Sequence, residues 1–409
     1  MTPRAGPRVH FNRLVVRPIQ SFLRVETAGG MVLLAATIFA IVAANSPWDG
    51  DYARFWAYHV GLDRGAVSLD KSLAHWVNDG LMTVFFFVVG LEIKRELATG
   101  ELSDRRAATL PAAAAIGGMI LPAAIFAGLN LGTAGGDGWA IPMATDIAFS
   151  VGVLALLGSR APAGLKAFLL ALAIVDDIGA ILVIALFYTG AVSFAALGAA
   201  LLLVAVVIAL NRLGVRAIWP YAVAGIACWF ALLQSGVHAT IAGVVLGLLT
   251  PERPRDDEPE GGSPLDRLEH ALHPWSSFVV IPVFALANAG LAISGDRIAD
   301  AAQSRVSLGI AFGLVAGKPL GIIAFAWLAV RLRLAILPAG TTWRGIVGVG
   351  LVAGIGFTVS LFITELAYSN ATLVQDAKIA IFGASLVAGA AGYLYLRLLQ
   401  SPRTSGDPR

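Results

Sequence analysis

The chain is poor in charge and nearly devoid of cysteine. Asp, Glu, Lys and Arg make up 13% of its 409 residues, about half the share usual in a soluble domain. Its one cysteine, Cys228, excludes an internal disulfide and any cysteine-held metal cluster. The formal net charge is only +3, and the arginines flank apolar runs instead of gathering among aromatics, which excludes a nucleic-acid surface. Long polar stretches are also missing. The longest, Pro251 to Pro274, is too short to fold as a soluble domain.

Apolar sequence fills the space. The mean hydropathy is +0.79. Runs of the roughly 17–25 residues needed to cross a bilayer begin near Gly29, Leu73, Thr109, Ala140, Gly164, Ser193, Ala217, Gly236, Trp275, Ser307, Gly345 and Ala377. The expected fold is therefore an all-α polytopic membrane protein of about twelve spans. Its single membrane domain covers 29–398, after a basic arm at 1–28 and before a tail at 399–409. The long basic arm and the lack of a soluble domain behind it argue against a cleaved signal peptide. An even number of spans puts both termini on one side. With the termini inside, 22 of the 29 Lys and Arg fall in cytoplasmic segments and five outside, while Lys318 and Lys378 fall within spans. That excess predicts that both termini are cytoplasmic.

Two connecting segments stand out. Residues 58–70 (YHVGLDRGAVSLD) alternate weakly, with Asp63-Arg64-Gly65 as a turn. They read as an outer β-hairpin or as an ordinary polar loop, and a hairpin's exposed edge would pair with a second copy. Residues 251–266 (PERPRDDEPEGGSPLD) read as a flexible cytoplasmic linker. Two apolar stretches are interrupted, one by Pro142-Met143-Ala144-Thr145-Asp146 and one by Gly354-Ile355-Gly356-Phe357-Thr358. Interruptions in corresponding positions of two halves point to inverted-topology repeats with two broken helices.

The chemistry centres on Asp176 and Asp177, adjacent in the run Gly164–Thr189. Each charged group at mid-membrane costs about 3 kcal/mol on insertion scales, so the pair must face protein or a water path. Adjacent helical residues point about 100° apart, so one can face an ion while the other meets a different partner. A carboxylate holds either a proton or a hard cation such as Na⁺, and not both. That competition suffices for exchange if the site opens alternately to each side. Thr145 and Asp146, in the first break, offer a hydroxyl, carbonyls and a charge to balance half-helix N-termini. Lys318 needs a partner at its depth, either one of the two aspartates or the negative C-terminal ends of broken helices. His238 and the group Glu269, His270 and His273 titrate most readily near neutrality. With Glu92, Lys94, Arg95 and Glu96 they read first as a charged collar at the membrane surface, and more sharply as a pH-responsive cytoplasmic entrance that gathers cations.

These stretches resemble the NhaA family of bacterial sodium/proton antiporters. The resemblance rests on VFFFVVGLEIKREL, GWAIPMATDIAFSVGVLALLGSR, ALAIVDDIGAILVIALFYT, SGVHATIAGVVLG, RLEHALHPW, FALANAGL, GKPLGI and GIGFT, in family order from about Gly29 to Arg397. It implies twelve helices with two broken ones crossing at mid-membrane. It also implies electrogenic, pH-activated exchange of intracellular Na⁺ or Li⁺ for external H⁺ by alternating access, in support of sodium and pH homeostasis. Asp177 would be the principal cation ligand and Asp176 its partner, with Thr145 contributing to the transported ion's site. Thr145 and Asp146 would lie at the first break, and Lys318 would compensate helix ends. Glu92, Arg95, Glu96, Glu269, His270 and His273 would form the pH-responsive cluster, and the 58–70 hairpin would join two protomers. No cofactor is implied, and the partners are the ions, the bilayer and a second copy. The chain departs from the pattern in its arginine-rich arm, in the acidic residues Asp256, Asp257, Glu258 and Glu260, and in Val359, where many members carry Met.

Three other readings compete. A cation-coupled solute symporter would need a larger cavity than the Ala/Gly/Ile lining around residues 176–185 offers. An intramembrane aspartyl protease needs carboxylates on separate helices sharing a proton, whereas these are adjacent on one helix. A passive channel would not couple two ion fluxes.

Overall fold

A computed structural model describes residues 17–61, 63–64, 67–68, 70–100, 102–158, 161–215, 217–252, 263–338 and 340–399. The acidic residues at 256–260, most of the basic arm and nearly all of the tail lie outside these.

Helix α1 (Arg17–Ala44) leads to a short helix, α2 (Asp49–Ala57), and then to a ladder of two-residue strands. β1 (His59–Val60) pairs antiparallel with β4 (Lys71–Ser72), and β2 (Asp63–Arg64) with β3 (Val67–Ser68). The hairpin is present. Asp63 and Arg64 belong to a strand, however, and the chain reverses between Arg64 and Val67 instead of at Asp63-Arg64-Gly65.

The apolar runs then follow as helices: α3 (Leu73–Ala98), α4 (Arg105–Asn130), a 3₁₀ half-helix (Gly136–Met143), α5 (Ile147–Leu156), α6 (Ala163–Phe187), α7 (Phe194–Arg212), α8 (Ile218–Ser235) and α9 (Thr240–Leu249). After the linker come α10 (Pro264–Asn288), the surface helix α11 (Gly295–Gln303), α12 (Arg305–Arg331), α13 (Trp343–Ala353), α14 (Phe357–Ala367) and α15 (Ala371–Leu399). Among the described residues, ten spans are long and apolar enough to cross a bilayer, the first half-helix and α5 (Gly136–Leu156) counting as one, and the pair α13–α14, bent by 44°, makes an eleventh. The short apolar α9 stands where a twelfth run was expected.

Two boundaries differ from the sequence reading. α1 is already helical from Arg17, so much of the basic arm continues the first span. α10 starts at Pro264, well before Trp275, and the linker ends at Ser263. There Ser263 and Asp266 form a reciprocal capping box, which satisfies free N–H groups of the first turn. Leu265, Glu269 and His273 are the buried stripe of the turns that follow.

The two halves are laid out alike: α4, a broken pair and α6 in the first; α12, a broken pair and α15 in the second. α4 and α12 run antiparallel. The Asn130 amide donates to the Arg305 carbonyl at 3.0 Å at one end, and Gly117 meets Gly321 midway along. A Cβ on Gly117 would stand 2.2 Å from the Gly321 carbonyl oxygen, and one on Gly321 would stand 2.0 Å from that of Gly117. The backbones touch here, so only glycine fits. This contact fixes the inverted orientation of the halves and brings their broken pairs together at the centre.

Candidate ion-binding site

Pro142, which has no N–H to donate, is the penultimate residue of the half-helix Gly136–Met143. Ala144 to Asp146 then run extended before α5 begins. In the second half Gly354 to Gly356 interrupt α13 and α14. The two breaks lie against each other. The Asp146 N–H donates to the Ile355 carbonyl at 2.7 Å, the Thr145 hydroxyl to the Ala353 carbonyl at 3.0 Å, and the Ser150 hydroxyl to the Val352 carbonyl at 3.2 Å. Each break thus satisfies backbone groups that the other leaves open, as unwound backbone at membrane depth requires.

Asp146 sits at the crossing. One carboxylate oxygen accepts from the Phe149 N–H at 3.0 Å and caps α5. The other accepts from the Thr358 N–H at 3.0 Å and the Thr358 hydroxyl at 2.7 Å, in the first turn of α14. One negative charge therefore balances two half-helix N-termini. At the opposite pole, Lys318 is fully buried. It forms an ion pair with Asp176 at 2.7 Å and donates to the Met143 carbonyl, the C-terminal end of the first half-helix. Both partners considered for Lys318 are engaged at once. The far end of that half-helix is held by hydroxyls, Tyr188 on the Asp137 carbonyl and Tyr368 on the Gly135 carbonyl, each at 2.7 Å.

The two aspartates divide as helical geometry demands. Asp176 turns to Lys318. Asp177 lines a cavity together with Thr145, Asp146 and Thr358 from the breaks. The opposite wall of the cavity is built from α1, α3 and α10 by Glu26, Glu92, His273, Ser276 and Ser277. The imidazole Nε2 of His273 lies 2.9 Å from a Glu26 oxygen and 3.5 Å from a Glu92 oxygen, and the Ser277 hydroxyl donates to Glu26 at 3.1 Å. Beside them Arg95 forms an ion pair with Glu269. The cavity thus joins this charged cluster to Asp177, with apolar side chains such as Phe85, Val89 and Ile281 completing its lining.

Residues 20–396 match a family described as Na⁺/H⁺ antiporter 1. The chain belongs to this family. It is 49% identical over 383 residues to the Na⁺/H⁺ antiporter NhaA of Shewanella loihica, covering 93% of this chain and 97% of that one. It is 48% identical over 390 residues to the NhaA of Rhodospirillum rubrum, covering 94% and 98%. To the NhaA 2 of Syntrophotalea carbinolica it is 47% identical over 420 residues, covering 93% and 96%. The protein is a bacterial-type sodium/proton antiporter, a transporter and not an enzyme.

Most of the residues expected to form the antiporter's entrance come together, and some do not. Glu92, Arg95, Glu269 and His273 form one buried or half-buried group. Glu96 stays at its edge, 3.9 Å from Arg95, and Lys94 caps the end of α9 through the Leu248 carbonyl. His270 is exposed and contacts the Asp266 carbonyl of its own helix. His238 does not join the group. Its Nε2 lies 2.6 Å from the Tyr188 carbonyl, at the hairpin end of the bundle near Asp79. Arg95 is sixteen residues further along α3 than Asp79, about 24 Å at helical rise. The readiness of histidine to titrate near neutrality suggests a sensing role for His238, but sequence does not show which end of the bundle it occupies. Lys378, on the last helix, pairs with Glu365 at 2.8 Å.

Glu26 and Thr358 were not singled out from the sequence. Glu26 follows the basic arm and precedes the apolar run at Gly29, so it reads as a surface residue unless the helix is known to start at Arg17. Thr358 lies in the recognised GIGFT break, but its role depends on a residue 212 positions away.

Proposed function

We propose that Asp177 is the carboxylate at which a cation and a proton compete. The observation that carries this is its exposure to the cavity while Asp176 is neutralised by Lys318. Deprotonated Asp177, with Thr145 and backbone carbonyls of the breaks, binds Na⁺ or Li⁺ arriving through the Glu92/His273 passage. Alternating access then turns the site to the other face, where a proton displaces the cation. In acid both states of the site hold protons and no cation can load, so exchange rises with pH.

Asp176 and Lys318 form the second titrating element. Their ion pair breaks and re-forms with the protonation of Asp176, so that more than one proton moves per cation and transport is electrogenic. Lys318 also compensates the C-terminal end of the first half-helix, and Asp146 the two N-terminal ends. Glu92, Arg95, Glu96, Glu269, His270 and His273 form the pH-responsive cytoplasmic face. The arginine excess supports an inner-membrane orientation with both termini cytoplasmic. The open edges of the 58–70 ladder support pairing with a second copy.

The test uses everted vesicles with a preformed acidic interior. NaCl, LiCl or KCl is added between pH 6.5 and 8.5, and proton release is followed with a pH-sensitive dye. Release is expected with Na⁺ and Li⁺ but not K⁺, rising with pH, and it should be abolished by Asp177→Asn. Wild-type rates in that variant would rule out the assignment of the site.

A further inference from the structure

The first helix contributes a charged group to the passage that neither the family motifs nor the sequence reading assigns. α1 and α10 run parallel and touch closely. A Cβ on Gly29 would stand 2.8 Å from the Ser277 Cβ, so only glycine permits the approach. One turn before Gly29 is Glu26, and one turn before Ser277 is His273. The close approach therefore aims Glu26 at the imidazole. Its carboxylate is buried, 6% exposed, and holds Nε2 of His273 at 2.9 Å and the Ser277 hydroxyl at 3.1 Å. Both Glu26 and His273 line the cavity that also reaches Asp177. Glu92 approaches the same nitrogen at 3.5 Å.

We propose that Glu26 is a positioning residue for cation loading: it fixes the imidazole of His273 across the mouth of the passage and keeps its charge coupled to the medium. A protonated ring bridged by Glu26 and Glu92 cancels one of their two negative charges and weakens the pull on an incoming cation. When the proton leaves, two carboxylates remain to draw the cation inward. The charges facing this ring from the surrounding elements are Glu26 on α1, Glu92 and Arg95 on α3, and Glu269 on α10, with Asp177 and Asp146 across the cavity. Of the two carboxylates at Nε2, Glu26 is the nearer, at 2.9 Å against 3.5 Å for Glu92. This inference rests on the pH activation proposed above and adds to it the residue that sets the working range.

The experiment compares Glu26→Gln, Glu26→Asp, His273→Asn and the double variant Glu26→Gln/His273→Asn by Na⁺-driven proton release across pH. Removing a carboxylate beside an imidazolium makes the ring lose its proton in more acidic medium. The Glu26→Gln profile should therefore move toward acid by about one pH unit, and Glu26→Asp should keep most of the wild-type profile. The double variant should match His273→Asn alone, because Glu26 acts through the ring. A Glu26→Gln profile superimposed on wild type, or additive effects in the double variant, would overturn the role of Glu26 and leave pH activation standing. A wild-type profile that is flat would overturn both.

Discussion

Lys318 shows how much one side chain carries at membrane depth. It is fully buried, paired with Asp176 and bonded to the Met143 carbonyl. Removing one member of a buried pair leaves an uncompensated charge, which costs about 3–5 kcal/mol. Lys318→Met should therefore lower the melting temperature of the detergent-purified protein sharply, and adding Asp176→Asn should recover most of the loss. Recovery would show that the pair is chiefly mutual compensation; no loss in the single variant would mean that Asp176 is already neutral. That two aspartates had to divide their duties was legible from their adjacency, since neighbouring helical positions diverge. Which of them meets Lys318 was not, because the choice depends on where α12 packs, 142 residues away.

The broken helices act as a unit because each closes the other's backbone. Asp146 is the keystone, accepting from Phe149 on α5 and twice from Thr358 on α14. A buried donor left without a partner costs about 1–3 kcal/mol. Asp146→Ala orphans donors on both half-helices, so a loss of several kcal/mol is expected, while Thr358→Val removes a single hydroxyl and should cost only the lower figure. Thermal unfolding of the two variants tests the order, and equal losses would mean that the two caps do not depend on the shared carboxylate. The breaks themselves could be read from Pro142 and from the glycines of GIGFT, which are local signals. Their crossing could not, because it is made by hydrogen bonds between residues more than 200 positions apart. The early starts of α1 and α10 escaped a reading by hydropathy because their first turns are polar. In α10 the buried stripe Leu265, Glu269 and His273 has helical spacing but is mostly charged or titratable.

In the whole molecule, two inverted halves meet along the α4–α12 glycine contact and carry the breaks, while α1, α3 and α10 form the opposing wall. The cavity lies between these two groups and reaches the Glu92/His273 cluster, the end proposed above to face the cytoplasm. The scarcity of cysteine makes this directly testable. Cys228 is fully buried among Ala200, Leu232 and Ala242, so Cys228→Ala should fold and leave a thiol-free background. In that background Ile281→Cys places one thiol on the α10 wall of the cavity. A small, charged, membrane-impermeant thiol reagent should modify it in everted vesicles, where the cytoplasmic face is outward, and much more slowly in right-side-out vesicles. Na⁺ held at Asp177 should slow the reaction, and the slowing should vanish in Asp177→Asn. Labelling from the opposite face would reverse the orientation argued from the arginines. Labelling that ignores Na⁺ in the wild-type site would detach the cavity from the carboxylate it reaches and would leave the passage without a role in loading.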